Sequence, residues 1–295
     1  MKRIMLFVVT NLAIMVTLSI VLSLLGFTGY VGRDGGIDYT ALMVFCLVWG
    51  MGGAFISLAM SRAIAKWTMG VQLVDGRSGQ PDLDWMYATV HRLTQQAQLP
   101  MPEVGFYDSP EVNAFATGPS KSKSLVAVSS GLLRTMRREE VEGVLAHEVA
   151  HIQNGDMVTM TLIQGVVNAF VMFLARIIAF AIRQGSDERN AYFFSWIVMI
   201  VLEIVFGIIG MFVVAWFSRA REFRADAGGA ALAGRGNMIA ALRRLMQSKE
   251  LVDNSEPALA TLKINGKRSS WMMLASTHPP LEDRIRALEE LRTQN

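Results

Sequence analysis

A disulfide framework is excluded at the outset, because the chain has one cysteine, Cys46, and it lies inside an apolar run. Stability therefore does not depend on an oxidising compartment. Charge is scarce as well. Asp, Glu, Lys and Arg make up 18% of the 295 residues, against about 25% in ordinary soluble domains. The charge that is there nearly cancels, to a formal net of +3. Its Lys and Arg residues are scattered, which excludes the dense basic patch of a nucleic-acid binder. There is no internal repeat. In place of charge stand hydrophobic residues, 52% of the chain, and they are gathered into long runs.

Four runs stand out, at about 4–27, 40–60, 157–182 and 192–217. Each is long enough for a helix to cross a hydrocarbon core of about 30 Å, which takes about 20 residues. The first exceeds the apolar core of a cleaved signal peptide and is followed by no clean cleavage site, so it reads as a retained anchor. The third contains Arg176 and the fourth Glu203. A charge at that depth is costly and normally finds a partner, so these two are expected to pair. Lys2, Arg3, Arg62, Lys66, Arg219, Arg221 and Arg224 flank the runs on one side, Arg33, Arg183 and Arg189 on the other. The positive-inside rule then puts both termini in the cytoplasm.

The expected organisation is two N-terminal transmembrane helices in 1–60, a first cytoplasmic part in 61–156, a transmembrane hairpin in 157–217 and a second cytoplasmic part in 218–295. In the first cytoplasmic part, Asp82 or Asp84 could cap a helix to about 98, stopped by Pro100 and Pro102. Short β-like runs follow at 103–107, 112–117 and 124–129, the last two across the polar turn 118–123. A helix is expected over 138–154 with Gly155 as its C-terminal cap. After the fourth apolar run, helix signals continue to about 232, then from 238 to 248. A polar loop follows, and an amphipathic helix begins at 281.

Chemistry concentrates at His147-Glu148-Val149-Ala150-His151, an H-E-x-x-H pattern on the 138–154 helix. Residues i and i+4 share a helix face, so two imidazoles can meet one Zn²⁺ at about 2.0–2.1 Å. Glu148, one residue on, is badly placed to ligate the same ion but well placed to hold its water. Chance occurrence on a solvated face fits poorly, because Val144, Leu145, Val149 and Ile152 make the helix a buried one. A catalytic zinc takes three protein ligands and leaves one position open. Glu222, Asp226, His91 and His278 are the candidates for the third. Glu222 and Asp226 sit four apart on the helix that returns from the membrane hairpin, which brings Glu222 within reach without a long loop. His91 reads as an exposed helix residue.

The HEVAH helix, the downstream E-x-x-x-D pair, the two leading anchors and the hairpin together resemble the HtpX family of bacterial membrane metalloproteases, relatives of the CaaX prenyl proteases. Asn113-Ala114-Phe115-Ala116-Thr117-Gly118 and Thr277-His278-Pro279-Pro280 match the family's patterns too, and the resemblance covers essentially the whole chain. It implies an α-helical membrane protein with about four transmembrane helices and a mainly α, zincin-like α+β cytoplasmic protease domain. One Zn²⁺ per chain would be held by His147, His151 and Glu222, with Glu148 as general base. Asp226 would orient a ligand histidine, His278 would donate to the oxyanion, and Asn113, Ala114 and Phe115 would hold substrate by main-chain pairing. The implied activity is that of a zinc metalloendopeptidase of the bacterial inner membrane, with its site in the cytoplasm. It would act on misfolded membrane proteins and unfolded polypeptides under stress. Its partners are the bilayer and these substrates, not nucleic acid, and self-association stays open. The alternatives are a prenyl-protein or small-peptide protease, a zinc-binding scaffold without catalysis and, on the strength of Arg176 and Glu203, a transporter.

Overall fold

The computed structural model describes residues 14–24, 26–27, 29–32, 35–184, 191–255 and 276–291. The chain divides into two compact units, Met1–Leu58 with Thr159–Val214, and Ala59–Val158 with Ala215–Asn295.

The first unit is built from helix α1, Ile14–Leu24, the start of α2, Tyr39–Met69, most of α6, Asp156–Gln184, and the first half of α7, Ala191–Ala233. The last three are long and apolar enough to cross a membrane. The opening residues of the first apolar run lie outside the described residues, so only Ile14–Leu24 of that span is placed. Burial separates these helices from the core of a soluble protein, since only 6% of the most apolar stretch of α7 is covered by protein. Phe170, Val166, Ile204 and Ile209 face outward, a surface that lipid satisfies and water does not. Where the helices do meet they meet closely. A Cβ on Gly50 of α2 would stand 2.6 Å from the Ala169 backbone nitrogen of α6. The expected partnership is present, with Arg176 Nη1 donating to Glu203 Oε1 at 2.7 Å and to the Met172 carbonyl at 3.2 Å. The guanidinium lies over the Phe45 ring.

The second unit holds a four-stranded sheet, β1 Gln72–Val74, β2 Glu103–Tyr107, β3 Ala114–Ser120 and β4 Lys123–Ser129, in the order β1-β2-β4-β3. β2 runs parallel to β4, and the other pairings are antiparallel. One face packs on α3, Pro81–Gln96, and α5, Arg138–Asn154, through Met86, Val90, Leu93, Val126, Val128, Leu145 and Val149. A short helix α4, Ser130–Thr135, follows β4, and α8, Arg235–Ser255, and α9, Leu281–Glu290, complete the unit.

Three local expectations need correction. α3 starts before either aspartate, with Gln80 as its N-cap and Pro81 in the first turn, because the fixed proline φ suits that position. Asp84 instead accepts from the Ser78 backbone N–H and hydroxyl, both at 2.8 Å. The turn between β3 and β4 is tighter than 118–123, since both strands extend into it and Ser120 pairs with Lys123 around a bulge. α8 begins at Arg235 and continues to Ser255, where a loop was expected after 248.

Candidate metal centre

α5 ends one turn beyond His151. Gly155 takes the left-handed conformation, φ 70° and ψ 28°, and its N–H closes onto the His151 and Ile152 carbonyls. Only glycine adopts this at little cost. α6 therefore starts afresh at Asp156, whose carboxylate returns to His151.

The HEVAH turn is buried against the C-terminal part of α7. Small residues allow the approach. A Cβ on Gly229 would lie 3.1 Å from the His147 backbone nitrogen, and one on Gly228 would lie 2.9 Å from Ala150 Cβ. One turn or two earlier on the same helix come Asp226 and Glu222, each only 1% exposed. His147, His151 and Glu222 thus come together as a buried group of ligand atoms.

The geometry can be tested against a metal. His147 Nε2 and His151 Nε2 are 3.0 Å apart and His151 Nε2 and Glu222 Oε1 3.4 Å, and one ligand atom from each of the three residues lies within 4.8 Å of the other two. A tetrahedral ion with bonds of about 2.0–2.1 Å needs ligand separations of about 3.3–3.4 Å. The protonation pattern agrees. His147 Nδ1 stands 2.9 Å from Asp226 Oδ1, and His151 Nδ1 stands 2.7 Å from Asp156 Oδ2. Since a carboxylate can only accept, each Nδ1 carries the hydrogen. In the neutral rings both Nε2 lone pairs then point at the shared space. Glu222 Oε1 points there too and is buried without a hydrogen bond. Three such acceptors around one point fit a cation.

Around these three stand further groups. Arg284 of α9, itself buried, grips Asp226 with two bonds, Nε to Oδ2 at 2.7 Å and Nη2 to Oδ1 at 2.6 Å. Its Nη1 lies 3.3 Å from Glu222 Oε2. His278 donates through Nδ1 to the same oxygen at 3.0 Å, with its side chain 63% exposed. Glu222 therefore has one oxygen held by a histidine and an arginine and the other turned toward the imidazoles. Glu148, half-buried on α5, is near enough for its charge to bear on His147, His151 and Arg284.

Electrostatics follow from burial set against these partners. Burial disfavours a charged His151, but Asp156 and Glu222 outweigh it and push its pKa up to about 9. His147 is raised likewise, with burial opposed by Asp226 and Glu222. Burial works against Glu222 ionising, yet the three surrounding histidines hold it well below the usual carboxylate range. Asp226 is lowered in the same way, by Arg284 and His147 against burial.

Of the other residues singled out from the sequence, His91 is exposed on α3 and is not part of this group. Asn113 precedes β3, with its backbone N–H on Ser129 Oγ at 3.1 Å and its carbonyl accepting from the Ser129 N–H at 3.0 Å. Ala114 and Phe115 open β3, which is an edge of the sheet and packs against α5. Ala114 faces the main core and Phe115 the smaller cluster around Tyr107. Asp156 and Arg284 were not singled out. Asp156 had a weak signal, an acid directly after the glycine that closes the HEVAH helix. Arg284 had a better one, a cation in the apolar stripe Leu281-Ile285-Leu288 of an amphipathic helix.

Comparisons with known proteins agree with this arrangement. Residues 82–292 match peptidase family M48. Protease HtpX of Idiomarina loihiensis is 50% identical over 293 residues, covering 99% of this chain and all of that one. An HtpX homologue of Bacillus subtilis is 54% identical over 296 residues, covering 98% of this chain and 99% of that one. Among solved structures, Ste24p of S. mikatae superposes with a TM-score of 0.62 at 18% identity, over 98% of this chain and 66% of that one, which bears on the fold alone.

Proposed function

Because the chain belongs to peptidase family M48, we propose that it is a membrane-embedded, zinc-dependent endopeptidase in which His147, His151 and Glu222 hold the metal and Glu148 is the general base. The observation that carries the reading is the convergence of two Nε2 atoms and one unbonded Glu222 oxygen, all buried, beside a half-buried glutamate. A bound Zn²⁺ would supply Lewis acidity, polarising the scissile carbonyl and acidifying the attacking water.

The chain's own residues account for the rest. Glu148 accepts the water's proton as the water adds to the carbonyl carbon, and returns it to the departing amine nitrogen. Asp226, held by Arg284, keeps His147 in the tautomer that frees Nε2. His278 is tied to Glu222 through Nδ1 and is open to solvent on its other side. It donates to the developing oxyanion through Nε2, which requires the doubly protonated ring. The outer edge of β3, entered through Asn113, Ala114 and Phe115, takes the substrate chain as an added strand, so that main-chain pairing supplies affinity with little demand on sequence.

That indifference to sequence suits unfolded polypeptides and damaged membrane proteins, and therefore proteolytic quality control under stress. The lysine and arginine bias supports a site on the cytoplasmic side, in the bacterial inner membrane. The glutamate beside the ligand pair disfavours a zinc scaffold, since a closed structural site has no use for it. The test is metal content of the detergent-purified protein. Wild type is expected to carry one zinc per chain, as is His91→Ala, whereas His151→Ala and Glu222→Ala lose it. Zinc retained by both of the latter would overturn the ligand assignment.

A further inference from the structure

We infer that Asp156 is a positioning residue of the metal centre, fixing the tautomer and direction of His151 as Asp226 does for His147. The inference rests on the metal reading above and deepens it. Asp156 Oδ2 lies 2.7 Å from His151 Nδ1, and the carboxylate is 1% exposed. A buried carboxylate so placed accepts a hydrogen bond from Nδ1–H, so that in the neutral ring it is Nε2 that presents its lone pair to the ligand space.

The local fold permits that contact. His151 and Asp156 are five residues apart, a separation that does not bring side chains together on a continuous helix. The left-handed Gly155, φ 70°, breaks α5 and restarts the chain as α6 with Asp156 at its first position. The N-terminus of α6 favours a negative charge there, and Arg224 Nη2, 3.6 Å from Asp156 Oδ1, adds a cation. The two ligand histidines are therefore held from different helices, His147 from α7 and His151 from α6. The spacing that makes H-E-x-x-H recognisable does not extend to this fifth-residue carboxylate.

Positioning and charge can be separated by two conservative changes. Asp156→Asn keeps an accepting oxygen in place and removes the charge. Asp156→Glu keeps the charge and moves the oxygens by one methylene. The readout is Zn²⁺ affinity of the detergent-purified full chain, measured by competition with a chromophoric chelator, alongside the melting temperature of the metal-free protein. Asp156→Ala is expected to weaken zinc binding about 10–100-fold, the usual effect of losing such a partner. Asp156→Asn should recover most of that loss, and Asp156→Glu less of it. Zinc binding at wild-type strength in all three overturns the inference, and so does Glu outperforming Asn, which would make Asp156 a source of charge only. If the alanine variant does not fold, the Asn-against-Glu order still decides. A wild-type chain that binds no zinc would bring down the metal reading itself; zinc bound by wild type and variants alike brings down only the role of Asp156.

Discussion

The two proposed ligands His147 and His151 are raised in pKa by the same groups that would prepare them for a metal, since a buried carboxylate holds each Nδ1 and Glu222 faces Nε2. Zinc requires the neutral ring, so protons compete with it. With His151 at about 9 in the metal-free protein, zinc affinity should fall as pH drops below about 9. Uptake near neutral pH should release protons, measurable by calorimetry in buffers of different ionisation enthalpy; uptake without proton release would contradict the assignment. Folding of the metal-free chain carries the opposite dependence. A folded pKa above the unfolded value of about 6.5 gives a contribution that is complete below 6.5 and is lost as pH rises through about 9. The melting temperature of the metal-free protein should therefore decline over that interval, and a rise would argue against a protonated His151. The meeting of His147 and His151 was legible because helix spacing alone puts them on one face. Asp156 and Arg284 were not, because one depends on a left-handed break and the other reaches Asp226 across 58 residues, for which no spacing rule exists.

Among the elements, the contact between α5 and the end of α7 decides whether Glu222 reaches His147 and His151. Gly229 allows it, since an added Cβ would stand 3.0 Å from the Met238 sulfur and 3.1 Å from the His147 backbone nitrogen. Gly229→Val should push the helices apart and cost about 1–3 kcal/mol, with weaker zinc binding as the specific sign. Thermal unfolding and a zinc competition assay read both, and a variant as stable and as tight as wild type would show that the contact is not limiting. The sequence placed 103–107 and the 138–154 helix at their observed limits, because alternation, a breaker at Pro102 and the Gly155 cap mark them. It missed β1, whose three residues are too few to show a period. It also ended α8 early by weighing the polarity of residues 249–255, although Lys, Glu and Leu are good helix formers.

Across the whole molecule the apolar helices need a second kind of solvent, and Arg176 is tolerated among them through Glu203 and the Phe45 face. Arg176→Met alone leaves Glu203 without its cation, so it should lower the detergent melting temperature more than Arg176→Met with Glu203→Leu. Equal losses would mean that the pair is not coupled. The proposed activity rests, however, on a division of labour at the site: metal on His147, His151 and Glu222, proton transfer on Glu148. Its most direct test is cleavage of an unfolded model protein by detergent-purified wild type and Glu148→Gln, with zinc assayed in both. The expected result is unchanged zinc content with cleavage reduced about 10²–10⁴-fold. Full cleavage by the glutamine variant, with zinc bound, would contradict it.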